Sequence, residues 1–255
     1  MGATSVSVID VGKGDCILLQ AGGSAALIDT GYDATANKVL NHLRKQGVTQ
    51  LEFVIITHYD RDHVEGFRAI GQAFNIGIVY LPGYEGSDKN YRMLMSAIAD
   101  LGLPTQQVTE RLRLQLGDAG LELIPSRVTY VPGGKGEEGN DNDLSLVAAL
   151  TSGNDSYLFT GDLQKDGIEA YLEHSLGQFD VLKVPHHGHK SSMSDELFED
   201  VRPQIAIITD AAHDSAEKKT LKLLNEIGAT VYTTSEVRTV VVQGDGAGHY
   251  DVSTG

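Results

Sequence analysis

His58, Asp60, Asp62 and His63 fall within six positions, in the stretch THYDRDHVEG (57–66) that follows the apolar run LEFVII. Imidazole nitrogens mixed with carboxylate oxygens at i, i+2, i+4 and i+5 suit a pair of divalent ions of the Zn, Mn or Fe type. A buried strand ending at this point would hold several such donors toward one cleft on a rigid support. The competing reading is a helix N-terminus, where aspartates serve as caps. Distant segments add donors of the same kind. YLFTGDL places Asp162 in a glycine turn after another apolar run, and DVLKVPHHG places His186 and His187 after a further one. An isolated Gly-Asp is ordinarily a turn, but separate strand ends that all deliver His or Asp point to one shared centre.

The elements that must position these residues are legible in the apolar periodicity. SVSVID, CILLQ and AALID alternate between glycine-rich turns and predict an antiparallel meander. ATANKVLNHLRKQG predicts a helix ending at Gly47. A strand over 52–57 follows, then a helix from Val64 to Phe74, a strand at IGIVYL and a helix at DKNYRMLMSAIADLG. The Gly- and Asp/Asn-rich segment 125–143 predicts a loop. Strands LSLVAAL, SYLFT and DVLKV come next, with a helix over 168–176. Helix 194–201, strand QIAIIT, helix 216–227 and strands TVYTT and RTVVV complete the chain. Strands alternate with helices and no linker intervenes, so the expected architecture is α/β: two sheets face to face with helices outside, in a single domain over 1–255.

Composition bounds the function. At 255 residues the chain can bury a large core, and hydrophobic and charged fractions of 41% and 22% are ordinary for a globular protein. The net charge of −15 argues against broad nonspecific binding to nucleic acid or an anionic membrane. No apolar run approaches the ~20 residues of a membrane span, and MGATSVSVID has no leader-like basic and apolar pattern. With Cys16 as the sole cysteine, a cytoplasmic location is expected. The glycine after Met1 matches a myristoylation pattern only superficially.

THYDRDHVEG, FTGDL and VPHHG together resemble the metallo-β-lactamase fold superfamily, in particular the branch that includes the soluble domain of the ComEC competence proteins. VIDVGKGDCILLQ, LIDTG (27–31) and NDLSLVAAL (142–150) extend the likeness over most of the chain. The resemblance implies a four-layer αββα sandwich of two pseudo-symmetric halves, about 1–125 and 126–255. It also implies one or two divalent ions per chain, Zn or Mn. His58 and Asp60 would hold the first. Asp62, His63 and one of His186 and His187 would hold the second, with Asp162 bridging and the other histidine facing the substrate. Much of the superfamily supplies a further histidine to the first ion. No histidine lies between His63 and His174 here, which leaves Asn142, Asp141 or Asp143 as a weak substitute. Oxygen-rich ligation favours harder ions such as Mn, so tight binding at one position and weaker binding at the other is expected. Asp10 and Asp29 could orient ligating histidines; Lys13, His189, Ser191 and Ser192 could meet an anionic substrate.

The implied reaction is hydrolysis by a hydroxide held between the ions, with Asp62, His186 and His187 closest to the chemistry and no nucleophilic side chain required. Phosphodiester cleavage by a nuclease or small-molecule phosphodiesterase is the expected activity. Absence of a basic cluster, of Trp and of abundant aromatics favours a small or single-stranded anionic substrate over duplex DNA. The alternatives are hydrolysis of a lactone, thioester or other carboxylic ester, and a catalytically silent metal-binding protein that mediates interactions. Oligomeric state is not legible.

Overall fold

A computed structural model describes residues 3–133 and 139–255. Residues 134–138 of the expected loop, and the Met1–Gly2 pair, lie outside the described residues. The chain begins with the expected meander, β1 (Thr4–Val8), β2 (Ile17–Ala21) and β3 (Ser24–Ile28), paired antiparallel in register Val6↔Leu19↔Ala26. Helix α1 (Ala36–Lys45) crosses over to β4 (Gln50–Ile55), which runs parallel to β3. The single helix expected over 64–74 is two pieces, α2 (Arg61–Val64) and α3 (Phe67–Ala73). They part at Gly66, where a Cβ would come within 2.3 Å of the Thr30 carbonyl oxygen. Strand β5 (Asn75–Pro82), helix α4 (Lys89–Asp100) and strand β6 (Thr105–Val108) complete this half.

The second half repeats the plan. Strands β7 (Leu112–Leu116), β8 (Ala119–Ile124), β9 (Val147–Ser152) and β10 (Asp155–Phe159) form an antiparallel series. Parallel crossovers follow through α5 (Lys165–Leu172), β11 (Val181–Lys183), α6 (Ser194–Val201), β12 (Ile205–Ile208), α7 (Lys218–Glu226) and β13 (Thr230–Thr233). Periodicity alone does not reveal β6 and β7, whose exposed TQQV and half-exposed LRLQL offer little apolar signal. Helix α5 begins before its expected start at 168. The Asp143 carboxylate accepts the N–H groups of Gln164 and Gly167 at 3.1 and 2.8 Å and so caps an extra turn. After the one-turn α8 (Thr234–Val237), strands β14 (Val240–Gly244) and β15 (Tyr250–Thr254) return to the first sheet beside β1.

The result is an 8-stranded sheet, β15-β14-β1-β2-β3-β4-β5-β6, facing a 7-stranded sheet, β13-β12-β11-β10-β9-β8-β7. Apolar side chains fill the space between the sheets, among them Leu19, Ile55, Leu121, Leu150 and Phe159. Outer cores pack α1, α3 and α4 against the first sheet through Val39, Leu43, Phe67 and Ile98, and α5, α6 and α7 against the second through Ile168, Phe198 and Leu224. This is the four-layer α/β sandwich that the resemblance implies. No helix among the described residues is long and apolar enough to cross a membrane.

Phe159 is fully buried at the end of β10, in the layer between the sheets. Phe159→Ala should lower unfolding stability by about 3–5 kcal/mol. A urea titration checks this, and a loss below ~1 kcal/mol would mean that the layer is loosely packed there.

Candidate metal centre

The candidate residues converge where strands of both sheets end. Beyond β4 the chain runs Thr57-His58-Tyr59-Asp60 into α2; beyond β10 it turns at Gly161-Asp162; beyond β11 it turns at His186-His187. His58, His63 and His187 are buried, and the Nε2 of each makes no hydrogen bond. Each ring is anchored from behind through Nδ1. His63 Nδ1 lies 2.7 Å from Asp29 Oδ2, and His187 Nδ1 lies 2.8 Å from the Thr209 carbonyl oxygen. Both partners only accept, so each Nδ1 carries the proton. His58 Nδ1 lies 3.0 Å from Thr57 Oγ1, whose own proton goes to Asp29 Oδ2 at 2.6 Å, so His58 Nδ1 donates as well. In the neutral rings the three free Nε2 lone pairs therefore point inward.

Carboxylate oxygens meet these nitrogens. Asp162 Oδ2 stands 3.3 Å from His63 Nε2 and 3.0 Å from His187 Nε2, while Asp62 Oδ2 is 3.2 Å from His187 Nε2. Asp62, His63, Asp162 and His187 each offer one ligand atom, all within 4.8 Å of one another. Lone pairs that face carboxylate oxygens this closely require either protons or a cation between them, and His/Asp donors suit a divalent ion. These residues fit a metal. The 186–187 pair divides in space: His187 Nε2 joins the cluster, whereas His186 stands beside it with Nδ1 3.2 Å from Gln164 Nε2 and Nε2 3.5 Å from Asn142 Nδ2. Both histidines adopt left-handed backbone, φ +47° and +53°, a strained conformation found where geometry serves a site.

The first position is more open. His58 Nε2 lies 3.7 Å from Asp60 Oδ2, and the Asp60 side chain is 47% exposed. Asn142 Oδ1 is buried without a partner, and Asp141 lies close enough to Asp60 for the two carboxylates to interact. Asp143, the remaining substitute considered for this position, is committed to the N-terminus of α5. Of the outlying residues, Asp29 braces His63 and Thr57 directly. Asp10 instead binds Lys38 at 2.5 Å and accepts the Gly12 N–H. Lys13 and His189 both reach Asp214, at 2.7 and 3.4 Å. They line a cavity with His186, Gln164, Ser191 and Ser192 beside the cluster.

Sequence reasoning missed Asp15, Lys183, Thr57, Thr209 and Ser145. Thr57 and Thr209 end the near-repeats VIIT and AIIT, and each joins a histidine Nδ1 to a buried aspartate: His58–Thr57–Asp29, and His187–Thr209–Asp15. That repetition was the available signal. Ser145 Oγ accepts the Asp162 N–H at 3.1 Å. Lys183, the one charge in the apolar stretch VLKV (181–184), is fully buried.

A family profile described as the metallo-beta-lactamase superfamily matches residues 9–209. The chain belongs to the metallo-β-lactamase superfamily. It is 31% identical over 209 residues to Recombination protein 2 of Haemophilus influenzae, covering 80% of this chain and 24% of that protein. It is 26% identical over 258 residues to ComE operon protein 3 of Bacillus subtilis, covering 92% and 32%. Competence protein ComA of Neisseria gonorrhoeae matches at 27% over 229 residues, 88% and 30%. These relatives place the chain in the ComEC-like branch of the superfamily, and the chain spans about a quarter to a third of their length. Among solved structures, YhfI from Bacillus subtilis aligns with TM-score 0.65 at 14% identity, covering 96% of this chain and 100% of that one. Igni18 from Ignicoccus hospitalis aligns with TM-score 0.59 at 15% identity, covering 93% and 98%.

Electrostatics bear on metal-free behaviour. Burial disfavours a charged His187, but Asp162 outweighs it and pushes the pKa up to about 9. His63 likewise rises, with burial opposed by Asp162, Asp29 and Asp62. For Asp162, burial works upward, but His187, His63 and Lys183 hold the carboxyl well below its usual range. A ring whose folded pKa exceeds its unfolded value contributes stability that is complete below about 6.5 and lost as pH rises through the folded value. EDTA-stripped protein should therefore lose stability between pH 6.5 and 9, on the order of 3 kcal/mol from His187 alone. Thermal melts across that range check this; a midpoint that holds level or rises would contradict it.

Proposed function

We propose that this chain is a divalent-metal-dependent hydrolase of phosphodiester bonds, acting as one domain on a single-stranded nucleic acid or a smaller anionic phosphodiester. The observation that carries the metal reading is the pair of buried, unpartnered Nε2 atoms of His63 and His187 facing Asp62 and Asp162, with the equally unpartnered His58 Nε2 beside Asp60. Asp62, His63, Asp162 and His187 would hold the tighter ion. His58 and Asp60, with Asn142 or Asp141, would hold a weaker one, and Asp162 would be shared. The chemistry such ions supply is Lewis acidity, which acidifies water to a pKa near ~7 and offsets charge on a phosphate. Zn suits the imidazole-rich position and Mn the oxygen-rich one.

The protein's own groups then have definite tasks. Asp29, Thr57 and Thr209 fix the ring orientations, so little reorganisation remains when substrate arrives. His186 stands outside the cluster, half-buried, and burial lowers its pKa to about 4. At neutral pH it is an uncharged ring that can accept a hydrogen bond from water or relay a proton at the leaving oxygen. Lys13 and His189 border the same opening and can meet a phosphate, Lys13 by leaving Asp214. Relatives named for recombination and competence favour a nucleic-acid strand. The net charge of −15 favours a single strand over a duplex.

Protein stripped of metal and resupplied with Mn or Zn should hydrolyse bis-(p-nitrophenyl) phosphate and single-stranded DNA in preference to a lactone. Asp162→Ala should lower that activity at least ~100-fold while leaving the chain folded. Stoichiometric metal with no turnover in any of these assays would replace the hydrolase by a metal-binding interaction protein, and preference for the lactone would move the substrate to carboxylic esters.

A further inference from the structure

Lys183 ends β11 in the second sheet, and Asp15 precedes β2 in the first. Both are buried, and Lys183 Nζ meets Asp15 Oδ2 at 2.5 Å. The same ammonium donates to the Gly161 carbonyl oxygen at 3.1 Å and lies 3.5 Å from Asp162 Oδ1. Asp162 is thereby divided: Oδ1 faces Lys183, and Oδ2 faces His63 and His187. The other oxygen of Asp15 accepts the Thr209 hydroxyl at 2.7 Å, and Thr209 receives the His187 Nδ1 proton. Asp15 also holds the backbone of α2, since its N–H donates to the Asp62 carbonyl oxygen at 3.2 Å. That approach requires Gly14, where a Cβ would stand 2.6 Å from the same oxygen.

From this arrangement we infer that the Lys183–Asp15 pair is a positioning device that sets Asp162 and His187 for metal capture from the side away from the ion. It rests on the reading that Asp62, His63, Asp162 and His187 hold a divalent ion. A buried ammonium so close to a cation site opposes the ion electrostatically, so its presence needs a reason beyond charge. The geometry supplies one. Without Lys183, the Asp162 carboxylate could rotate and offer either oxygen, and without Asp15 the Thr209 hydroxyl that backs His187 loses its acceptor. Outer partners of this kind typically change metal affinity by ~10–100-fold.

The test uses the whole chain and Co(II) as the probe. Removing one member strands a buried charge, so the informative variant is Lys183→Met with Asp15→Asn. This change leaves the net charge around the ion unaltered and lets residue 15 still accept from Thr209. Its metal-free thermal midpoint should stay near that of the parent, while Co(II) affinity falls ~10–100-fold and the cobalt d–d absorption changes. Thr209→Val removes the hydroxyl that links Asp15 to His187 Nδ1, leaves the Thr209 carbonyl on that ring and moves no charge; it should weaken Co(II) binding in the same direction by a smaller factor, and tests the His187 branch by itself if the double variant does not fold. Parent-like affinity and spectrum in the folded variants, or tighter binding, would overturn the positioning role. A parent chain that takes up no Co(II) would overturn the metal reading and this inference with it.

Discussion

Groups that repel one another are concentrated at one buried point. Asp62 and Asp162 lie within hydrogen-bond range of His187 Nε2, and His63 Nε2 approaches the same Asp162 oxygen. Without a proton or cation, lone pairs and negative charge face each other in a poorly screened environment. A flexible chain would relieve this by turning the side chains outward. Here the histidine rings and the Asp162 backbone are held from behind: Asp29 accepts the His63 Nδ1–H, the Thr209 carbonyl accepts that of His187, and Ser145 Oγ accepts the Asp162 backbone N–H. Most of the architecture around the cleft serves to keep this set convergent.

The sandwich does so by supplying the same bracket from each sheet. In the first, β4 is followed by Thr57, which links His58 to Asp29; in the second, β12 is followed by Thr209, which links His187 to Asp15. The donors cross between halves, because Asp15 belongs to the first half of the chain and Thr209 to the second. The apolar layer between the sheets therefore does more than stabilise the fold. It sets the distance over which Asp15 can reach Lys183 and Thr209. The left-handed turn at His186 and His187 carries strain of order 1–3 kcal/mol per residue, which a rigid frame of this size can sustain.

The two halves of the centre are unequal for a chemical reason. His63 and His187 lie on the side where Asp62 and Asp162 close the set, whereas His58 shares its side with the half-exposed Asp60 and with Asn142. Imidazole-rich and oxygen-rich surroundings select differently among divalent ions. The aspartates gathered here also account for part of the acidic balance of the chain.

Much of this was legible in the sequence. The meander β1–β3, the crossover helices and the donors His58, Asp60, Asp62, His63, Asp162 and His186/His187 follow from apolar periodicity and residue type, because strand ends and metal-ligating side chains are local properties. The weakly apolar β6 and β7, the break at Gly66 and the early start of α5 were not legible, since each depends on a distant partner: a neighbouring strand, the Thr30 carbonyl, the Asp143 carboxylate. The choice between His186 and His187 likewise has no local signature. Adjacent identical residues differ only in which way the left-handed turn aims them, and that aim is decided by Thr209, just beyond another strand. The sequence alone determined which atoms could bind a metal. Tertiary structure decided which of them meet and what braces them, because Lys183 and Asp15, 168 residues apart by number (183 − 15), become neighbours only when the two sheets close.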